Sequence, residues 1–208
     1  MALDLWLAFV AASTVLLMIP GPTVLLVLSY ALTQGRRVAL ATVAGVALGD
    51  FIAMSASLAG LGALVLASAQ LFTVLKWIGA IYLVWLGIKM LRSASSMTLD
   101  ETDAGTLPPR GVFGHAAAVT ALNPKSIVFF IAFVPQFVDP TAALLPQFAI
   151  LITTFVGLAA LNALAFALLA DRLRRQIKRP AVLTWLGRAG AATLIGMGVM
   201  TAALRRSA

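Results

Sequence analysis

Long apolar stretches alternate with short polar ones along most of the chain. An α-helix needs about 20 apolar residues to cross a hydrocarbon core about 30 Å thick, and each stretch has at least that length. The stretches cover, to within a few residues, 5–32, 38–66, 71–91, 112–138, 146–170 and 181–203. The pattern therefore predicts an all-α membrane protein with about six transmembrane helices.

The composition leaves little room for anything besides these helices. Of the 208 residues, 62% are hydrophobic and 11% are charged, and the mean hydropathy is +1.03. This apolar surface exceeds what a soluble core could bury, so we expect a single transmembrane domain over residues 1–208. With no cysteine and one histidine, the chain offers few ligands for a thiol relay, a haem or a soft metal. We expect no cofactor, no metal and no enzymatic activity.

Basic residues are unevenly distributed between the loops. The formal net charge is +8, but these residues lie at helix ends instead of along one solvated face, which argues against a nucleic-acid partner. Positively charged loops stay in the cytoplasm, so we expect the loops after the first, third and fifth helices inside and both termini outside. The predicted cytoplasmic side holds Arg36, Arg37, Lys89, Arg92, Arg110, Arg172, Arg174, Arg175, Lys178 and Arg179, and the other side holds Lys76, Arg205 and Arg206.

The two halves of the chain share short sequence motifs. VLKWIG at 74–79 recurs as VLTWLG at 182–187, and PGPTVLLVL at 20–28 corresponds to NPKSIVFFI at 123–131. A three-helix unit repeated in tandem enters the membrane from the opposite face the second time, which is the layout of many secondary transporters. The motifs therefore predict two inverted three-helix repeats. Chance similarity between apolar segments is the alternative.

The longest polar connection separates the predicted repeats. It covers about 93–110 and includes three acidic residues, a composition typical of a flexible loop. We therefore place the first repeat at about 1–92 and the second at about 111–208, with a cytoplasmic loop between them.

Proline interrupts the first and fourth helices at equivalent depths. Pro20, Gly21 and Pro22 break the first helix, while Asn123 and Pro124 have the order of an N-cap and a first helical residue in the fourth. In inverted repeats the two half-helix N-termini meet near the midplane, each with unpaired N–H groups and partial positive charge. This pairing predicts a site for an anionic group such as a carboxylate. A kink that only shapes packing is the alternative.

Two ionisable residues are predicted within the membrane. Lys125 lies about 20 Å into the fourth helix, and Asp50 lies at a similar depth in the second. Such residues are costly in hydrocarbon, so they usually pair or line a path. We predict that both face the protein interior. Thr23 and Asn162 are weaker candidates for lining the path, and an ordinary interhelical hydrogen bond is the alternative for each. A purely structural ion pair between Asp50 and Lys125 is the alternative.

A set of motifs in a fixed order spans nearly the whole chain. The motifs are PGPTVLLVL at 20–28, GVALGD at 45–50, LKWIGAIYLVWLGIKMLRS at 75–93, LNPKSIVFFIAFVPQFVDP at 122–140 and ADRLRR at 170–175. Together they resemble the LysE/RhtB family of bacterial amino-acid exporters. The resemblance implies export of amino acids or close derivatives from the cytoplasm through the bacterial inner membrane, in exchange for protons.

Under this resemblance, the predicted site would bind the amino and carboxyl groups of an amino acid. The half-helix N-termini and Lys125 would receive the carboxylate, and Asp50 would take the ammonium group or the coupling proton. The candidate substrate-binding residues are Pro20, Gly21, Pro22, Thr23, Asp50, Asn123, Pro124, Lys125 and Asn162. The sequence leaves open the substrate side chain, the coupling ion and whether Asp50 titrates during transport.

The sequence leaves three other functional hypotheses open. A membrane enzyme or electron carrier is disfavoured by the missing ligands, whereas a non-transporting membrane subunit would use the broken helices only for packing. An exporter or channel for another small solute is the third. Besides substrate, the expected partners are membrane lipid and a second copy of the chain. A homodimer could pack through small-residue faces, although the sequence marks none as intermolecular. The small residues that recur every four positions on the second helix place Asp50 at a helix interface: Ala41, Gly45, Gly49, Ala53 and Ser57.

Overall fold

The computed structural model describes residues 1–19, 21–34, 36–67, 69–93, 107–139, 142–177 and 180–203. These residues form eight α-helices and no strand, which confirms the predicted all-helical class. The helices are α1 (Leu3–Met18), α2 (Pro22–Gln34), α3 (Arg36–Ala67), α4 (Ala69–Ser93), α5 (Pro109–Ala121), α6 (Pro124–Val128), α7 (Leu144–Ile177) and α8 (Pro180–Ala203). After α6 the chain continues through a π-helical turn, Phe129–Phe133, and a 3₁₀ turn, Val134–Phe137.

Between two and four membrane spans are present in the described residues, judged by helix length and composition. Helices α3 and α7 qualify alone, over Val38–Gly60 and Leu144–Ala170. The pairs α1–α2 and α5–α6 qualify when each bent pair counts as one span. The total of six spans remains a prediction.

Both expected helix interruptions are present. Helix α1 ends at Met18 and α2 begins at Pro22, with axes 56° apart, and the axes on either side of the second break differ by 41°. At this second break Asn123 is the N-cap and Pro124 the first residue of α6, because proline lacks the N–H that would be unpaired at that position. Pro20 lies outside the described residues.

The α1–α2 pair runs antiparallel to α5, α6 and the turns that follow. As the residue number rises in the first segment, the number of its contact partner falls in the second. The contacts are Phe9 with Phe137, Leu16 and Ile19 with Lys125, Thr23 with Thr120, and Tyr30 with His115. The two breaks therefore lie side by side, with their chains running in opposite directions.

Glycine lets α3 lie close against α5. A Cβ added at Gly49 would lie 2.6 Å from the carbonyl oxygen of Ala117 and 2.7 Å from Cβ of Thr120, and Gly45, one turn earlier, faces Phe113 in the same way. The small-residue face at these two glycines therefore packs within the chain. This contact fixes Asp50, the residue after Gly49, beside the second helix break.

Candidate functional site

A small internal cavity lies where the two helix breaks meet α3 and α7. Its volume is about 30 Å³, enough for about one or two water molecules. Its apolar wall comes from α1, α2, α3 and α7 and includes Leu16, Val27, Val46 and Phe166. The polar side chains that line it come from both halves of the chain: Thr23, Asp50, Asn123, Lys125, Ser126 and Asn162.

Lys125 binds the C-terminal end of α1. Its Nζ donates hydrogen bonds to the carbonyl oxygens of Leu16, at 3.2 Å, and Ile19, at 3.1 Å. The last carbonyls of a helix have no partner within the helix and carry its partial negative charge, so an ammonium group suits this position. Gly21 lies against the same side chain, since a Cβ there would be 3.4 Å from Nζ.

Asn123 joins the two breaks through its side-chain amide. Its Oδ1 accepts the backbone N–H of Lys125 at 3.1 Å, which caps α6. Its Nδ2 donates to Oγ1 of Thr23 in α2 at 3.2 Å, and the hydroxyls of Thr23 and Thr120 are 3.4 Å apart. Asn123 therefore pairs one of the backbone N–H groups of the second half-helix that were predicted to bind an anion.

Asn162 reaches the first break from α7. Its Nδ2 donates to the carbonyl oxygen of Leu17 at 3.0 Å, so it pairs a further carbonyl at the end of α1. Asn162 therefore lines the cavity and makes an interhelical hydrogen bond to the end of α1, and its role in substrate binding remains a prediction.

Asp50 is the buried acid of the site. It is 2% exposed, it lines the cavity together with Lys125, and its Oδ1 has no hydrogen-bond partner in the described part of the chain. An unpaired buried carboxylate oxygen is costly, whereas a cationic partner in the cavity would stabilise it. The site thus contains one carboxylate and one ammonium group. In the described ranges, no three His, Asp or Glu side chains are grouped to hold a metal ion.

The structure does not bring every predicted residue to the cavity wall. Pro22 and Pro124 are exposed first residues of their helices and shape the breaks without lining the cavity. Gly21 is buried against Lys125. The predicted roles of these residues in substrate binding remain predictions.

Two features were missed by the sequence reasoning. Ser126 and Phe166 line the cavity, and Phe166 could have been found because it lies one helical turn after Asn162. His115 was given no role, yet its Nδ1 is 2.8 Å from the hydroxyl of the buried Tyr30. Nothing in the spacing of these two residues, 85 positions apart, indicated that contact.

The fold and the cavity define a helical membrane protein whose polar interior site is built at two broken helices. The family model of the LysE type translocator matches residues 14–204, so the chain belongs to that family of membrane translocators. This match confirms the resemblance seen in the motifs.

The chain is also similar in sequence to several individual bacterial proteins. The chain is 34% identical over 207 residues to the homoserine/homoserine lactone efflux protein of Salmonella typhimurium, covering 100% of both chains. It is 35% identical over 202 residues to an uncharacterized membrane protein of Vibrio cholerae, covering 97% of this chain and 98% of the relative. It is 31% identical over 137 residues to the leucine efflux protein of Klebsiella pneumoniae, covering 66% and 65%. No solved structure matches the chain.

Proposed function

We propose that this protein exports an amino acid or a close derivative from the cytoplasm across the bacterial inner membrane. The observation that carries the proposal is the presence of Asp50, a buried acid, and Lys125, a half-buried base, in a single cavity between two helix breaks. Intramembrane charges of this kind commonly mark a substrate path. The relatives named as homoserine and leucine efflux proteins support the same assignment.

The cavity suits the two charges of an amino-acid backbone. Lys125 has three N–H donors and directs two of them to α1 carbonyls, which leaves the third for a substrate carboxylate. Gly21, which directly precedes α2, lies against the Lys125 side chain, and the partial positive charge at the start of α2 adds to the attraction. Asp50 then receives the substrate ammonium group.

The rest of the lining selects the substrate side chain. Val46, Ala163 and Phe166 form an apolar wall, and Asp50 and Lys125 are both used by the substrate backbone. A cationic side chain would therefore enter without a counter-ion, which is costly in a buried site. The preferred substrates are amino acids with neutral side chains, of the size of homoserine or leucine.

Transport proceeds by alternating access with proton antiport. A cavity of about 30 Å³ is smaller than an amino acid, so the site must expand toward one side of the membrane and then the other. Opposite chain directions at the two breaks support rocking of two inverted repeats, about 1–92 and 111–208, around a fixed site. Asp50 binds either a proton or the substrate ammonium group, so that the two move in opposite directions.

The test is efflux from proteoliposomes that contain the purified protein. Vesicles are loaded with radiolabelled homoserine, leucine or lysine, and efflux is measured with and without an imposed pH gradient. We expect gradient-driven efflux of the two neutral substrates and at least about tenfold slower efflux of lysine, because an unpaired buried charge costs more than about 1.4 kcal/mol. Equal efflux of all three, or none, would contradict the proposal.

Asp50→Asn tests the acid while keeping its shape. A hydrogen bond to a charged group contributes about 1.5–3 kcal/mol, so we expect efflux to fall by about tenfold or more. Asp4→Asn is the matched control, because Asp4 is an exposed acid in the first turn of α1. If Asp50→Asn stops proton-driven efflux but leaves substrate exchange intact, Asp50 is the coupling site and not the ammonium ligand. Parental efflux with an unchanged pH dependence would mean that Asp50 is structural.

A further inference from the structure

The ends of α1 and α5 satisfy their last carbonyls in different ways. At the end of α5, backbone N–H groups pair two of the last carbonyls. Leu122 N–H donates to the carbonyl oxygen of Ala118 at 3.0 Å, and Asn123 N–H donates to that of Thr120 at 3.1 Å. At the end of α1, one backbone bond is also made, from Ile19 N–H to Leu16 at 3.3 Å. The ammonium of Lys125 adds bonds to the carbonyl oxygens of Leu16 and Ile19, and Asn162 binds that of Leu17. The end of α1 therefore uses cationic and polar donors from the second half in addition to its own backbone bond.

The carbonyl oxygens of Leu16 and Ile19 are turned toward one point. Ile19 follows the last helical residue and has an extended backbone, with φ −71° and ψ 117°, so its carbonyl leaves the helix direction. Both oxygens are within 3.2 Å of the same Nζ atom. Carbonyls at a broken helix, together with the negative end of the helix dipole, are the ligands with which transporters of this general layout coordinate a monovalent cation.

We propose that the C-terminal end of α1 is a monovalent-cation site that is occupied by the Lys125 ammonium group. Asp50, which lines the same cavity, adds a negative charge nearby and favours a cation at this position. The protein therefore carries its own cation, and neither its stability nor its transport requires Na⁺ or K⁺. Only the transport part of this inference rests on the proposed function.

Removal of the Lys125 side chain should turn this built-in site into one that takes a free cation. In Lys125→Ala, the Leu16 and Ile19 oxygens lose the ammonium donor, Leu16 keeps only the backbone N–H of Ile19, and the space of the long side chain opens. In Lys125→Met, the donor is lost but the neutral side chain still fills most of that space. The first variant should bind a small cation, and the second should not.

The measurement is the thermal unfolding temperature of the detergent-purified protein in NaCl, KCl, methylammonium chloride and choline chloride at equal ionic strength. For Lys125→Ala, we expect a lowered Tm in choline chloride and a saturable rise of about 2–4 °C with the small cations. The parent protein should have the same Tm in all four salts. Lys125→Met should be destabilised in all four and should not respond.

Several results would overturn the inference. These are a Lys125→Ala protein with no cation-specific rise, a parent protein whose Tm rises with Na⁺ or K⁺ over choline, or an equal rise in Lys125→Met. If Lys125→Ala fails to fold, the Tm of the parent protein in the four salts still tests the inference. A positive Tm result from a protein that exports no amino acid would keep the cation site and reject the proposed function, so the two outcomes are distinguishable.

Discussion

Replacement of Gly49 by alanine should separate α3 from α5 at the level of the site. The added Cβ would lie 2.6 Å from the Ala117 carbonyl oxygen and 2.7 Å from Cβ of Thr120. The first of these atoms belongs to a helix backbone and cannot rotate away, so the helices must move apart. Asp50 follows Gly49 directly, and its position beside Asn123 should shift with that movement.

A second glycine of the same helix provides a control from which the overpacking cost at Gly49 can be measured. A Cβ at Gly60 would meet nothing within 4 Å, so Gly60→Ala changes helix propensity without a clash. Alanine favours a helix interior over glycine by about 0.5–1 kcal/mol in both variants. Overpacking costs about 1–3 kcal/mol only at Gly49. The difference between the two variants is therefore the overpacking cost alone, which corresponds to about 2–12 °C in Tm for a chain of this size.

The assay is thermal unfolding of both purified variants in the same detergent, followed by efflux measurements. We expect Gly60→Ala to be as stable as the parent protein or more stable, and Gly49→Ala to unfold at a lower temperature and to export more slowly. Equal Tm values for the two variants would show that α3 and α5 do not approach as closely as the structure indicates. That result would also remove the physical basis for the position of Asp50.

Three further predictions follow from other contacts. Tyr30→Phe removes the hydrogen bond to His115 and should lower the free energy of unfolding by about 0.5–1.5 kcal/mol; an unchanged Tm would exclude a stabilising role for that contact. Asn162→Ala leaves the Leu17 carbonyl unpaired and should cost about 1–3 kcal/mol, measured in the same way, and a smaller loss would mean that water or another group pairs this oxygen. A reporter at the C-terminus should be active on the outer side and a tag within 93–110 should be cytoplasmic; a cytoplasmic C-terminus would reverse the predicted orientation.

Local sequence chemistry predicted the two helix breaks. Proline cannot continue a helix without loss of a backbone hydrogen bond, and Asn123 before Pro124 is a strong N-terminal signal. Both effects act within a few residues, so no tertiary information was needed. The burial of Asp50 was predicted from an equally general effect, the free-energy cost of exposing a charged side chain to hydrocarbon.

The partners of these residues could not be predicted in the same way. Lys125 binds carbonyls of α1, a contact between residues more than 100 positions apart that the sequence did not indicate; its role toward a substrate carboxylate remains a prediction. The contribution of Phe166 to the cavity depends on the rotation of α7 about its axis, and α7 has no charged residue over Leu144–Ala170 that would mark one face as outward. Apolar helices in lipid lack the polar face that reveals orientation in a soluble protein.

The two breaks use related motifs but expose different backbone groups. Asn123 precedes Pro124 and caps α6 with its side chain, whereas the residue before Pro22 is Gly21, which has no side chain with which to cap α2. The first N–H groups of α2 therefore lack a cap from this position, while one of those of α6 is already paired. Likewise, three carbonyls at the end of α1 accept hydrogen bonds from Lys125 and Asn162, beside one backbone bond from Ile19 to Leu16. At the end of α5 the donors to Ala118 and Thr120 belong to the backbone. Lys125 and Asn162 thus connect the end of α1 to α6 and α7, so we expect these hydrogen bonds to break if the two halves of the chain move against each other during transport.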